Sequence, residues 1–446
     1  MRGSSIICGT TFSANKARRI AFGVRSSGGL LHLLPGGKIP RSTCGARMTV
    51  TISLAPAETR AAPKAFVRNA ALDRARTFIT LLVLLHHAAI PYTYFGHTDP
   101  QSFLGFDGVI LFTDSFFMAA MFFLSGLFVW PSLQRKGIGW FLRDRCWRLG
   151  LPFVICAVIV MPVAYYAISL RLHPEIGFAA FWWNMITVGP WQNGPAWFVW
   201  VLLVLDIIAA LVHHAAAGLL QATGPGSPTR IARPGAFFAA ALAASLIAYV
   251  PMLFCFGAPR WFAAGPFAIQ ASRILLYGLY FAAGVGLGAS SFGKGLMAAK
   301  GGLAQRWPLW LLATAASYGC MIALVYIKHA VLPDMNHRPL WWELAYALAF
   351  TAYTTAQTFN VLALFLRFDN DGASILDPLR DSAYGIYLIH YVVMLWLQYA
   401  LYDISFGPVM QLSAIIKVVI DFIVTLAVSF AATSALRRIP GATRVL

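Results

Sequence analysis

Pro195-Ala196-Trp197-Phe198-Val199-Trp200-Val201-Leu202-Leu203-Val204-Leu205-Asp206-Ile207-Ile208-Ala209-Ala210-Leu211-Val212 is an uninterrupted apolar run with one charged side chain, Asp206. Such a run reads as a helix crossing a bilayer. About 20 mostly apolar residues span the hydrocarbon, and every backbone N–H and C=O must find its partner within the segment. Nine further runs flank it, at 78–95, 108–130, 149–170, 235–256, 271–289, 309–327, 341–366, 383–401 and 411–436. The chain is 59% hydrophobic and 11% charged, with a mean hydropathy of +0.69, so lipid is the solvent for most of its surface. The alternating pattern of a membrane β-barrel is absent from the sequence. The expected fold is an all-α integral membrane bundle of about ten transmembrane helices.

The net charge of +18 does not point to nucleic acid, because the basic residues sit between or before the apolar runs rather than on one soluble face. Their placement reports topology. The loops after the even-numbered runs and the carboxyl end hold fifteen Lys and Arg, and the loops after the odd-numbered runs hold four. By the positive-inside rule both termini are expected in the cytoplasm, with the chain in a cell inner membrane. Residues 1–70 read as a disordered, basic lead-in, with Met48 as an alternative start. Residues 71–438 read as the membrane domain and 439–446 as a short cytoplasmic tail. The segment 178–192, rich in Trp, is too short to span and reads as an outer-face loop. Six cysteines lie scattered without CxxC or zinc-like spacing, and no metal site is expected.

Ionisable groups inside lipid are costly, so each is a functional candidate. The first run and its approach, Leu72-Asp73-Arg74-Ala75-Arg76-Thr77-Phe78 through Leu85-His86-His87-Ala88, is the richest. Arg76 and His87 are about three helical turns apart, so they share a stripe with Thr80 and Val83, while His86 points elsewhere. At ~1.5 Å per residue the pair is roughly 16 Å apart along the axis. Arg76 then sits at the cytoplasmic surface and His87 at or beyond mid-membrane. A plainer reading stands beside this one: Arg76 as an orientation charge, His87 as a hydrogen bond to a neighbouring helix. Asp114 reads either as a carboxylate that orients His87 or as an interfacial acid. Lys417 and Asp421, four residues apart, read as a self-compensating pair within one helix. Asp206 and Glu343 have no assigned partner from sequence.

The opening stretch resembles that of the membrane acyltransferase-3 family, whose first helix carries Leu-Asp and then Arg, ten residues, and His; Arg76 and His87 occupy those positions. Phe122-Phe123-Leu124-Ser125-Gly126 is similar to that family's Phe-Phe-x-Leu-Ser-Gly, without the intervening residue. Arg135-Lys136-Gly137, Arg145, Arg148 and Pro152 resemble its basic cytoplasmic loop. Gly194-Pro195-Ala196-Trp197-Phe198 resembles its Trp-Phe helix start. Ser382-Ala383-Tyr384-Gly385-Ile386-Tyr387-Leu388-Ile389-His390 resembles its late Ser-x-Tyr-x-x-Tyr-x-x-His helix. The matches run in family order from Leu72 to His390.

The resemblance implies an enzyme that moves an acyl group, acetyl or succinyl, from cytoplasmic acyl-coenzyme A to a hydroxyl of a glycan or other envelope acceptor. Acyl-coenzyme A is a co-substrate here, not a resident cofactor. His87 is then the candidate general base, with a transient acyl-histidine as the alternative, and Asp114 its candidate partner. Arg76, Arg143, Arg145 and Arg148 are candidates for the coenzyme A phosphates, since guanidinium presents a planar fork of donors. Trp197, Tyr384, Tyr387 and His390 are candidates for the acceptor path. No esterase-like module, which many members carry, is read in the sequence, so the acceptor is expected to reach the membrane cavity itself or to be reached by a partner protein. The competing reading is a transporter or flippase of an acyl donor or lipid-linked intermediate, although the paired breaks in repeated halves that mark many transporters are not found.

Overall fold

The computed structural model describes residues 70–96, 98–223, 234–291, 295–298, 300–332, 339–369 and 372–445; the expected lead-in and Met48 lie outside these. Among the described residues, eight helical segments are long and apolar enough to cross a bilayer. Two other long helices fall short of that apolarity for a common reason. They are α1 (Ala70–Ala89) and the helix Leu340–Arg367. The first carries Asp73, Arg74, Arg76 and two histidines, and the second buries Thr351, Thr354, Thr355, Gln357, Thr358 and Asn360. Their polar groups face protein, as expected when a helix is surrounded by other helices rather than by lipid. The exposed residues are of the opposite kind: Ile247, Leu312, Leu211 and Ile423 are all more than half exposed.

The first helix begins eight residues before the apolar run and ends at Ala89, where Pro91 in the turn Ile90–Tyr92 cannot continue the ladder. The second apolar run is three helices, α2 (Leu104–Asp114), α3 (Phe117–Gly126) and α4 (Val129–Lys136). Its break at Ser115 and Phe116 frees carbonyls inside the protein, and three donors take them. Tyr353 Oη donates to Phe112 O (2.9 Å), Thr354 Oγ1 to Ser115 O (2.7 Å) and Arg273 Nη1 to Asp114 O (2.8 Å). A broken helix at this depth is tolerable because those groups are satisfied.

α5 (Ile138–Leu172) is continuous through two wide π turns at Cys146–Gly150 and Cys156–Val160. Arg143, Arg145 and Arg148 therefore stand on the opening turns of a helix, not on the loop expected from sequence. The Trp-rich segment is likewise not a loop: α6 (Phe178–Thr187) is a ten-residue helix, too short to span. The remaining long helices are α7 (Trp197–Thr223), α8 (Pro234–Phe256), α9 (Ile274–Ser291), α10 (Trp307–Ala330), α11 (Leu340–Arg367), α12 (Ala383–Leu401) and α13 (Met410–Leu436). Between α8 and α9 a short antiparallel hairpin, β1 (Trp261–Ala264) and β2 (Phe267–Gln270), pairs Trp261 with Gln270 and Ala264 with Phe267. The all-α expectation thus gains one small β element.

α3 and α9 touch backbone to backbone. A Cβ built at Gly126 would lie 2.2 Å from Phe281 O, one at Gly284 2.2 Å from Phe123 O, and one at Gly288 2.2 Å from Leu127 O. Small residues at this spacing let membrane helices approach closely. Gly126 of the Leu-Ser-Gly motif is one side of this seam.

Lys417 is buried but is not partnered as the sequence spacing suggests. Its Nζ donates to both carboxylate oxygens of Asp99 (3.1 and 2.9 Å) and to Tyr402 O, while Asp421 accepts from Tyr92 Oη at 3.3 Å. The long-range pairing brings the loop after α1 onto α13.

Candidate active site

A cavity of about 430 Å³ lies where α1, the α2–α3 break, the turn before α7, the hairpin and α12 converge. His87, Asp114, Trp197 and Tyr387, all singled out from sequence, line it together with His86, Trp191, Trp261, Gln270 and Tyr277. The Arg76–His87 stripe is present as a chain of local bonds along α1. Thr80 Oγ1 donates to Arg76 O (3.0 Å), and His87 Nδ1 lies 2.8 Å from Val83 O. A carbonyl oxygen only accepts, so His87 Nδ1 carries the hydrogen. The Nε2 of the neutral ring therefore keeps its lone pair.

The same reasoning fixes one neighbour, His390. His86 Nδ1 lies 2.8 Å from Thr113 Oγ1, a hydroxyl that both donates and accepts. His390 Nδ1–H donates to Tyr387 O at 2.7 Å, and its Nε2 is buried without a hydrogen-bond partner among the described residues. The His87 ring centroid lies 5.3 Å from those of both His86 and His390. Three imidazoles thus meet around one point, and His87 and His390 are held as Nδ1–H tautomers. His86 does not point elsewhere: consecutive helical positions diverge by about 100°, and the cavity is wide enough to take both.

Asp114 does not orient His87. Its carboxylate receives Arg273 Nη2 at 2.5 Å, while Arg273 Nη1 holds the Asp114 carbonyl. The Arg273 side chain is 9% exposed, and its guanidinium lies over the Phe350 ring. Arg273 belongs to the site's frame and was missed. The available signal was an arginine within an apolar run, which is costly in lipid without a purpose. The hairpin, whose Trp261, Ala263, Ala268 and Gln270 wall the cavity, had no comparable signal, because four-residue strands leave little periodicity to read.

Trp197 stacks on Tyr277 with centroids 5.5 Å apart. Tyr387 Oη donates to Pro195 O at 2.5 Å, fixing the turn that opens α7. Tyr384 does not line the cavity; its hydroxyl donates to Arg148 O at 2.6 Å, tying α12 to α5.

At the other end of α1, Arg74 is the buried arginine. It donates to Asp377 through Nε (2.9 Å) and Nη2 (2.8 Å), to Gly372 O (2.9 Å) and to Asp369 (3.4 Å). This guanidinium holds the Asp377 carboxyl well below the usual carboxylate range. Arg76 is partly exposed, 3.4 Å from Asp73 and with its guanidinium carbon 4.9 Å from the Phe128 centroid. Of the other expected phosphate ligands, Arg143 is exposed and lies over Trp140. Arg148 is about half exposed, 3.6 Å from Asp144, which Lys136 also pairs. Arg145 is instead turned inward, with Nε 3.1 Å from the buried Asp206. That contact supplies the partner Asp206 lacked in the sequence.

The model of a family described as an acyltransferase domain, the acyltransferase-3 family, matches residues 69–434. The chain belongs to this membrane acyltransferase family. The match runs from the residue before α1 nearly to the end of α13, so the family's domain takes in both walls of the cavity and the basic opening turns of α5. No curated protein and no solved structure matches the chain. Family membership makes the protein an acyltransferase by class, and its apolar helices make it a multi-pass membrane protein.

Proposed function

We propose that this acyltransferase moves an acetyl or succinyl group from cytoplasmic acyl-coenzyme A to a hydroxyl of a carbohydrate or similar envelope acceptor, with His87 as general base. In this reading α1 and α11 complete a set of ten spans, both termini are cytoplasmic, and the membrane is a cell inner membrane. The hairpin, the turn before α7 and the cavity then face outward, and Arg76, Arg143 and Arg148 face inward.

The observation that carries the reading is the tautomer of His87 within an aromatic cavity. Its Nδ1 hydrogen is committed to Val83 O, which leaves Nε2 as the lone pair available to an incoming hydroxyl. Trp191, Trp197, Trp261 and Tyr277 offer flat apolar faces of the kind on which a sugar ring's C–H groups pack, and Gln270 and Asn193 add hydrogen-bonding groups. In the step itself, the acceptor O–H proton passes to Nε2 as its oxygen attacks the thioester carbonyl carbon. The C–S bond breaks as the ester forms, and the departing thiolate takes the proton from the imidazolium. Asp114 and Arg273 support this by holding the α2–α3 break rather than by touching His87. Arg76, Arg143 and Arg148 are the guanidiniums suited to the donor's phosphates; Arg145, committed to Asp206, is the least suited of the four.

The test is coenzyme A release from acetyl- and succinyl-coenzyme A by the purified protein, with and without a pool of envelope glycans. Folded His87→Ala is expected to lose at least 100-fold in turnover, the scale of general-base catalysis. Arg76→Ala is expected to raise the donor KM. If neither donor binds nor protects the cytoplasmic arginines from modification, acyl transfer from coenzyme A is wrong and transport of an acyl donor becomes the better account.

A further inference from the structure

His87 and Tyr391 have cavities on both sides. Behind them, away from the aromatic cavity, lies a second space of about 170 Å³ that shares His87, Ile90 and Tyr391 with the first. Its wall includes Asp99, Arg171, Gln398 and Tyr399.

The charge on this wall is set by which groups are already matched. Asp99 is consumed by the buried Lys417, through bonds of 3.1 and 2.9 Å, and that pair is neutral as a unit. Gln398 Nε2 is directed to His87 O at 3.3 Å, which ties the wall to the backbone of the proposed base. Arg171 is different. Its guanidinium carbon lies 4.5 Å from the Tyr402 ring centroid, and among the described residues no carboxylate comes within ion-pair range of it. Stacking on an aromatic face leaves the in-plane N–H fork available. Among the described side chains that line the cavity, Arg171 therefore carries the charge without an ion-pair partner, on a fork shaped for two oxygens, while the buried Asp421 sits behind the wall and accepts from Tyr92.

A cationic fork in a small cavity next to a proposed acyl-transfer base has a chemical meaning. We propose that the second cavity is an oxyanion subsite: it takes a carboxylate or phosphate carried by the substrate, with Arg171 as the ligand for its oxygens. This rests on the acyl-transfer reading above only for what brings the anion there. Two sources share the chemistry. One is the distal carboxylate of a dicarboxylic acyl group, whose reacting carbonyl would sit beside His87. The other is an acidic substituent on the acceptor. Arg171 is thereby a specificity residue for charged over uncharged substrate, and Tyr402 positions it.

The test measures binding and turnover separately on the full-length protein in detergent. Methyl succinate, which carries one carboxylate, and dimethyl succinate, which carries none, are titrated by calorimetry against native protein, Arg171→Gln and Arg171→Lys. Methyl succinate is expected to bind native protein, to weaken at least tenfold in Arg171→Gln, and to recover part of that loss in Arg171→Lys; the scale is that of one charge-assisted hydrogen-bonded contact. A neutral diester that binds as well as the acid, or an Arg171→Gln protein that binds methyl succinate as native does, overturns the proposal. The source is decided by the ratio of kcat/KM for succinyl- over acetyl-coenzyme A. A ratio that falls in Arg171→Gln puts the carboxylate on the acyl group. An unaltered ratio with weakened methyl succinate binding puts the acid on the acceptor. Arg171-dependent binding without coenzyme A release from either donor would retain the subsite and remove the acyl-transfer reading. Coenzyme A release with Arg171-independent binding would do the reverse.

Discussion

Gly284→Ala adds one carbon to a backbone-to-backbone helix contact, and its effect follows from the backbone. The new Cβ would stand 2.2 Å from Phe123 O and 3.1 Å from Leu127 N, and real Cβ contacts under 3.0 Å essentially never occur. The atoms it meets are backbone atoms of α3, which cannot rotate away as a side chain tip can. Relief requires α3 and α9 to part, and Gly126 and Gly288 hold the same seam at 2.2 Å on either side. Separation also disturbs the cavity, because α3 carries Phe117 and Met118 and α9 carries Tyr277. Overpacking of this kind costs about 1–3 kcal/mol. Gly286 is two positions along the same helix, and a Cβ there meets nothing within 4 Å. Gly286→Ala relieves only the conformational penalty of glycine in a helix, and so gains about 0.5–1 kcal/mol. The two variants have identical chemistry and opposite expected signs. Unfolding in mixed micelles, followed by labelling of the buried Cys156 thiol, compares them directly. Equal stability for the two alanine variants would refute the backbone-contact account of the seam.

Arg273→Leu strips the Asp114 carboxylate, 40% exposed to the cavity, of its partner and is expected to cost about 1 kcal/mol, because water in the cavity screens the carboxylate left behind; a loss above about 3 kcal/mol in the same unfolding assay would show that water does not reach Asp114. A double-mutant cycle on Lys417→Met should return strong coupling with Asp99→Asn and weaker coupling with Asp421→Asn, because the ammonium bonds Asp99; the reverse order would restore the intrahelical pairing. Asp377 has a folded-state pKa below its ordinary value, so its contribution to stability is fully present above the ordinary carboxylate pKa and disappears as pH falls through the depressed one. The stability difference between native protein and Asp377→Asn should accordingly shrink to nothing on acidification, and a difference that persists unchanged in acid would show that the carboxylate's charge is not what Arg74 uses.

The sequence by itself determined the membrane class, the positions of most helices and the composition of the stripe that ends in His87. These are local properties. A run of apolar residues has only one way to satisfy its backbone in lipid, and helical spacing puts Arg76, Thr80, Val83 and His87 in line whatever packs against them. The family motifs were also legible, because they are contiguous. What only the tertiary structure decided was which charge meets which. Asp114 went to Arg273 rather than His87, Lys417 to Asp99 rather than Asp421, and Arg145 to Asp206 rather than to the cytoplasmic surface. Each of these choices joins residues distant in sequence, and sequence spacing within one helix carries no information about them. The burial of an ion pair demands close, well-formed geometry, and that geometry exists only once α9 lies against the α2–α3 break, α13 against the loop after α1, and α5 against α7.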